Sequence, residues 1–254
     1  VELIDSHSHL DAPEFDGDRD AVLARARAAG IVRQVVPAVT ADGWPKLRAL
    51  AQHCPELVPA YGLHPMYLDA HRDADLDLLA DWVARERPQA IGECGLDFFV
   101  EGLDVERQQR YFEAQLVLAR ETGLPVILHA RRAVDAVITT IRRIGRLRGV
   151  VHSFPGSTEQ ARQLHALGFL IGIGGPITYE RANRLRAVVA GVPLEQLLLE
   201  TDAPDQPPAG HQGQRNEPAR LAQVLAAAAR ARGMPEERLA EATSANARAL
   251  FALA

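Results

Sequence analysis

"RQQRYFEAQLVLARETGLPVILHA", residues 107–130, changes period at its middle. Phe112, Leu116 and Ala119 fall at helical spacing, Gly123 stops the helix, and Pro125 opens a continuous apolar run that ends in His129. The same unit recurs along the chain. "RDAVLARARAAG" (19–30) precedes "IVRQVVPAV" (31–39), and comparable apolar, β-branched runs stand at 57–64, 89–97, 149–154, 168–175 and 196–204. With the opening run at Leu3 this predicts eight strands separated by helices, with Gly30, Gly123 and Gly168 as helix stops. Near-continuous apolar strands alternating with helices make a parallel sheet covered by helices. Eight units in 254 residues predict an α/β fold, a (β/α)8 TIM barrel, with two closing helices in 216–233 and 235–254. A doubly wound open sheet is the alternative, but the Gly-rich phosphate turn after its first strand is missing. No linker or low-complexity tract interrupts the alternation, so residues 1–254 are expected to form a single domain.

Composition narrows the function classes. The chain is 47% hydrophobic and 24% charged, with no apolar run long enough to span a membrane and no basic-then-apolar leader. Its two cysteines, Cys54 and Cys94, cannot make a disulfide framework, and a cytoplasmic location is the expectation. A net charge of −5, with Lys46 the single lysine, argues against binding nucleic acid through a broad basic surface. No membrane contact or obligate protein partner is indicated.

The chemistry sits at the strand ends. In "LIDSHSHLDA" (3–12), His7 and His9 flank Ser8; strand alternation would put both on one face, looking into the barrel mouth. An HxH pair alone is weak evidence. His64, Glu93, His129, His152 and Asp202 each close another apolar run, and five of the nine histidines occupy such positions. Burying so many ionisable groups is costly unless they are paired or bind metal. Histidine and carboxylate without thiolate suit Zn²⁺, Mn²⁺ or Fe, with Mg²⁺ where water and phosphate complete the shell. Six candidate ligands, His7, His9, Glu93, His129, His152 and Asp202, exceed a one-metal catalytic set and suit two ions bridged by Glu93.

The motifs "DSHSHLD", "GLHP", "IGECGLD", "PVILHAR", "VHSF" and "LLLETDAPD" together resemble, in order, those of the TatD-type metal-dependent deoxyribonucleases, a branch of the amidohydrolase superfamily. The resemblance runs from Asp5 to "HQGQRNEPA". It implies a (β/α)8 barrel, one or two divalent ions (Zn, Mn or Mg) and hydrolysis of DNA or another phosphodiester, 3′ to 5′ on single strands or ends, by metal-activated water. Carried over by position, His7, His9, Glu93 and Asp202 would hold one ion and Glu93, His129 and His152 the other. Cys94 departs from the pattern, where an aliphatic residue is expected. Asp202, Glu93 and His64 are the expected catalytic groups, with Asp202 taking or steering the proton of water and His64 donating to a phosphate oxygen or the leaving group. A purely structural His64 is the alternative, as is an Asp202 that caps a helix before "APDQ". Ester or amide hydrolysis of an acyl-nucleotide or aminoacyl-RNA, and a metal-stabilised binding module, are the alternative functions.

The remaining polar residues have bland readings. Asp97 orients a ligand or sits in a turn. Arg131 and Arg132 contact phosphate or are ordinary surface arginines. Arg215, Asn216 and Glu217 lock the loop after the eighth strand. His53, His71 and His165 are expected at the surface, and His211 is at most a weak substrate contact.

Overall fold

A computed structural model describes residues 1–253; Ala254, the last residue of the expected unit, lies outside them. Eight parallel strands, β1 (Leu3–Asp5), β2 (Ile31–Pro37), β3 (Leu57–Ala60), β4 (Ile91–Asp97), β5 (Val126–Arg131), β6 (Gly149–Val151), β7 (Phe169–Ile173) and β8 (Leu197–Leu199), follow the predicted order. Helices α1 (Arg19–Ala28), α2 (Trp44–His53), α3 (Ala74–Glu86), α4 (Val105–Thr122), α5 (Val134–Ile144), α6 (Thr158–Ala166) and α7 (Asn183–Gly191) separate them. Two more, α8 (Leu221–Arg232) and α9 (Glu236–Phe251), follow β8.

The ladders group β1-β2-β3 and β4-β5-β6-β7-β8. Two seams join them into the barrel. At one, Tyr61 bridges Ile91 and the Gly92 N–H donates to Tyr61 O at 2.9 Å. At the other, the Ser6 N–H donates to Leu199 O at 3.0 Å. Ile4, Val35, Val58, Ile127, Val150 and Leu198 form one buried cluster, which residues from so many strands can do only inside the barrel. Leu250 and Phe251 of α9 complete that cluster and plug it, while Asn246 Nδ2 donates to Leu194 O and Leu197 O, both at 2.9 Å.

Helix α4 shows how a helix positions the mouth. The Asp104 side chain caps it by accepting from the Arg107 N–H, an interaction typically worth ~1 kcal/mol, and Gly123 ends it at φ 70°. Its buried face carries Tyr111, Phe112, Leu116 and Ala119, but also two glutamines. Gln108 accepts from Asp97 N–H (2.7 Å) and donates to Asp97 O (2.9 Å). Gln115 does the same to Leu63 N–H (2.8 Å) and O (3.1 Å). These amides satisfy backbone groups that the strands leave unpaired at the ends of β3 and β4. Among the described residues no helix is long and apolar enough to cross a membrane.

Candidate metal centre

The centre is built where strands stop. The β1 ladder ends at Asp5, two residues earlier than alternation through His7 requires. Residues beyond it still bond both neighbours: Ser8 N–H donates to Val35 O (3.0 Å), His9 N–H to Ala203 O (2.7 Å), and Asp202 N–H to His7 O (2.9 Å). His7 and His9 are thus held by β2 on one side and the segment after β8 on the other, with their Nε2 atoms 3.2 Å apart.

Glu93, on β4, lies at the middle. Its Oε2 faces His7 Nε2 (3.2 Å) and His9 Nε2 (3.4 Å). Its Oε1 faces His152 Nε2 (2.8 Å), His64 Nε2 (2.9 Å) and His129 Nδ1 (3.1 Å). Asp202 Oδ1 stands 3.5 Å from both His7 Nε2 and His9 Nε2. Ligand atoms of three groups, His7/Glu93/His152, His7/His9/Asp202 and His64/Glu93/His129, lie within 4.8 Å of one another inside each group. All seven residues singled out at strand ends therefore converge on one mouth. Gly95 keeps the β4–β5 approach open: at φ 139°, a Cβ there would fall 2.0 Å from His129 O.

Hydrogen bonds on the outer sides of the rings fix what faces inward. His9 Nδ1 sits 3.1 Å from Pro37 O and His129 Nε2 2.8 Å from Asp97 Oδ2, so each of these nitrogens carries the proton. The inward nitrogens, His9 Nε2 and His129 Nδ1, both point at Glu93, and a cation there would take the place of a second proton on each ring. His64 differs. Its Nδ1 accepts from the Met66 N–H (3.1 Å), so Nε2 keeps its proton and donates to Glu93.

The donor set fits a divalent ion on a second count. Among the described residues, Glu93 Oε2, His7 Nδ1, His152 Nδ1 and Glu200 Oε2 are buried without a hydrogen-bond partner. A buried carboxylate oxygen left so is costly unless a cation satisfies it. The electrostatics agree. Burial favours a neutral Glu93, yet His64, His152 and His7 around it hold it well below the usual carboxylate range. Burial would raise Asp202, but the His9 hydrogen bond together with the charges of His152, His7 and His9 brings it down to about 2. Burial would lower His9 and His152, but their carboxylate neighbours raise both well above 6.5. Burial takes His64 down to about 4, keeping it a neutral donor.

Several residues behind the centre were not singled out by sequence. Glu200, fully buried, accepts from the Ser153 N–H and lies 3.6 Å from His152 Nδ1; Gly172 makes room for it, since a Cβ there would sit 2.0 Å from Glu200 Oε2. Asp5 accepts from the Thr201 N–H at 3.0 Å and pairs with Thr201 Oγ1 at 2.5 Å. Gln206 donates to Asp202 Oδ2 at 2.5 Å. Glu200 and Asp5 each stand two positions before a singled-out residue, Asp202 and His7, and that spacing was the signal available.

Other expectations are corrected or placed. His71 is buried, not at the surface: its Nε2 donates to His64 O at 2.9 Å and its ring stacks on Tyr111. His53 and His165 are exposed. No helix follows Asp202 before Pro218 among the described residues, which removes the helix-cap reading. Arg215 forks onto Asp18 with two 2.7 Å bonds, Asn216 Nδ2 donates to Thr201 O and Asp205 O (both 2.9 Å), and Glu217 pairs with Arg25. Each of these pins the loop after β8. His211 meets only Gln214 and Gln223. Arg131 and Arg132 both lie over the Phe99 ring, 3.6 and 4.7 Å from its centroid.

A (β/α)8 barrel whose mouth gathers five imidazoles and two carboxylates defines a metal-dependent hydrolase, and comparison with known proteins makes the class specific. The chain belongs to the TatD related DNase family, which it matches over residues 4–252. It is 44% identical to the metal-dependent hydrolase YjjV of Escherichia coli K12, over 98% of this chain and 97% of that protein. The crystal structure of that TatD homologue superposes with a TM-score of 0.95, covering 99% of this chain and 98% of the other. The Klebsiella pneumoniae protein named 3′-5′ ssDNA/RNA exonuclease TatD is 34% identical over 99% of this chain and 98% of its own length. A TatD family hydrolase from Entamoeba histolytica, 21% identical with a TM-score of 0.86 over 98% of both chains, shares the fold.

Proposed function

We propose that the protein hydrolyses phosphodiester bonds of single-stranded nucleic acid from an end, acting on DNA, and that Glu93 would be shared between two divalent-ion sites. The observation that carries this reading is the division of labour on Glu93, whose Oε2 faces His7 and His9 and whose Oε1 faces His129 and His152. His7, His9, Asp202 and Glu93 would hold one ion; Glu93, His129 and His152 the other. Bound there, zinc, manganese or magnesium supplies a Lewis acid that eases deprotonation of water and offsets phosphate charge.

The chain's own groups do the rest. Asp202, ionised and held on Oδ2 by Gln206, presents Oδ1 to accept the proton of the attacking water. His64, a neutral imidazole, gives its single Nε2 proton to Glu93, and that proton would be free for a phosphate oxygen once an ion takes up Glu93. At the rim, Tyr67, Phe98 and Phe99 are exposed, and Arg131 and Arg132 cover Phe99. Interleaved aromatics and guanidinium groups suit unstacked bases and single phosphates rather than a duplex. The name borne by the Klebsiella relative points the same way. We place the enzyme in the cytoplasm, in keeping with the free thiols of Cys54 and Cys94.

A panel of single-stranded DNA, carboxylic ester and amide substrates, assayed with Mn²⁺, Zn²⁺ and Mg²⁺ and after chelation, tests the reading. Metal-dependent release of mononucleotides is the expected result. Turnover of the ester or amide with none of the DNA would overturn it.

A further inference from the structure

Between the loop after β6 and the loop after β7 lies a cavity of about 450 Å³ that the metal centre does not use. It opens on the same end of the barrel, because Ser153 in its wall directly follows His152. Its lining is mostly apolar, with the half-buried ring of Tyr179, the small side chain of Ala182, and Phe154 buried behind them. Tyr179 is fixed by its hydroxyl, which donates to Pro207 O at 2.7 Å. The volume lies within the range of small-molecule sites.

Two further features give the cavity a chemical preference. Arg184 spends its guanidinium on Gly156 O (3.3 Å) and Pro155 O, whereas Arg181, exposed at the edge, has no side-chain partner among the described residues. An unpaired guanidinium over an apolar slot matches a ligand with one flat apolar part and one anionic part. A hydrogen-bond chain also links the slot to the centre: Ser153 Oγ donates to Gln206 Oε1 (2.8 Å), and Gln206 Nε2 donates to Asp202 Oδ2 (2.5 Å). Ser153, Gln206 and Asp202 all take positive φ, at 42°, 49° and 55°, a conformation costly for residues other than glycine and retained where surrounding structure imposes it.

We infer that this cavity is a nucleotide subsite: it receives the base of the nucleotide adjoining the scissile phosphate against the Tyr179 ring, while Arg181 takes that strand's next phosphate. The inference rests on the phosphodiesterase reading above and adds where the substrate's base is bound. A base seated there touches Ser153, and through Gln206 it steadies the carboxylate that handles the proton. Single strands are then preferred because a paired base cannot enter the slot.

The test uses Ala182→Phe, which fills the slot, and Arg181→Glu, an exposed change that reverses the charge. The first measurement is equilibrium binding of the trinucleotide TpTpT, which carries a phosphate beyond the scissile one, to metal-free protein, which requires no turnover. Both variants are expected to weaken TpTpT binding at least about tenfold, with melting temperature and metal uptake as in wild type. The second compares KM for a single-stranded oligonucleotide with that for the same strand carrying an abasic terminal residue. Wild type should favour the intact strand, and Ala182→Phe should abolish that preference by raising only the intact strand's KM. Unchanged TpTpT binding in Arg181→Glu, or an equal rise of both KM values in Ala182→Phe, would overturn the subsite. Loss of TpTpT binding in both variants, with a wild type that binds it but cleaves no DNA, would support the subsite and defeat the phosphodiesterase reading.

Discussion

Asp97 holds His129 by its outer nitrogen, Oδ2 to Nε2 at 2.8 Å, and so turns the lone pair of Nδ1 toward Glu93. The buried carboxylate can do this at any working pH: burial raises it, but the His129 bond and two backbone N–H groups bring it down to about 2. Partners of this kind set the tautomer and basicity of a metal-binding imidazole. Asp97→Ala should weaken divalent-ion affinity about 10–100-fold while leaving the barrel folded. Titration with Mn²⁺ measures it, and an unchanged affinity would make Asp97 a loop residue only.

Glu93→Ala removes the one side chain that faces both histidine sets. The expected outcome is loss of the second ion and most activity, with circular dichroism as in wild type. Elemental analysis of both proteins decides, since equal metal content in the variant would take Glu93 out of the centre.

Asp202→Asn keeps the size and one oxygen but cannot accept a proton. kcat should fall by about 10²–10⁴ with KM largely kept. Metal content belongs in the same experiment, because a variant that has lost its ion would show that Asp202 acts chiefly as a ligand.

Much of this was legible in the chain, for physical reasons. Buried parallel strands have no solvent face, so they read as apolar runs such as "VILHA", and an ionisable residue at the end of each run is visible as an exception. What was hidden depended on neighbours far away in sequence. His71 lies in a polar stretch, and only the packing of α4 shows it stacked on Tyr111. Glu200 looks like the polar margin of a strand until Gly172, on β7, is seen to make space for it. The early end of the β1 ladder reflects hydrogen bonds from 6–9 to β2 and to the segment after β8, which no local pattern encodes.

The folded protein should prefer a protonated Asp5. Burial pushes its pKa from 3.8 up to about 8. An acid raised in this way binds its proton more tightly when folded, so its contribution is fully present below pH 3.8 and is lost as pH rises toward about 8. Asp5→Asn can keep the bonds to Thr201 without the titration. In chelator, the melting temperature of wild type should therefore fall relative to the variant between about pH 4 and about pH 8. Parallel pH profiles for the two would refute the assignment.

Ionic strength gives a further measure. With a net charge of −5, the chain offers phosphate contacts only locally, at groups such as Arg131 and Arg132. Binding of single strands to Asp202→Asn should show a shallow salt slope, about 0.7 per phosphate engaged. A steep slope, or faster cleavage of closed circular duplex than of a linear single strand, would point to a broad electrostatic surface instead.

The plug of Leu250 and Phe251 beneath Ile4 and Leu198 has a consequence for assembly. Helix α9 follows every strand in the sequence, so the floor of the barrel arrives after its walls. The contact that closes the floor spans nearly the whole chain, and such distant pairings form late and slowly. His7 and Asp202 face each other only once the seam between β1 and β8 above that floor has shut. Metal affinity thus rewards completed closure, and an intermediate in which β1 and β8 have not yet met has its histidines but no centre in which to use them.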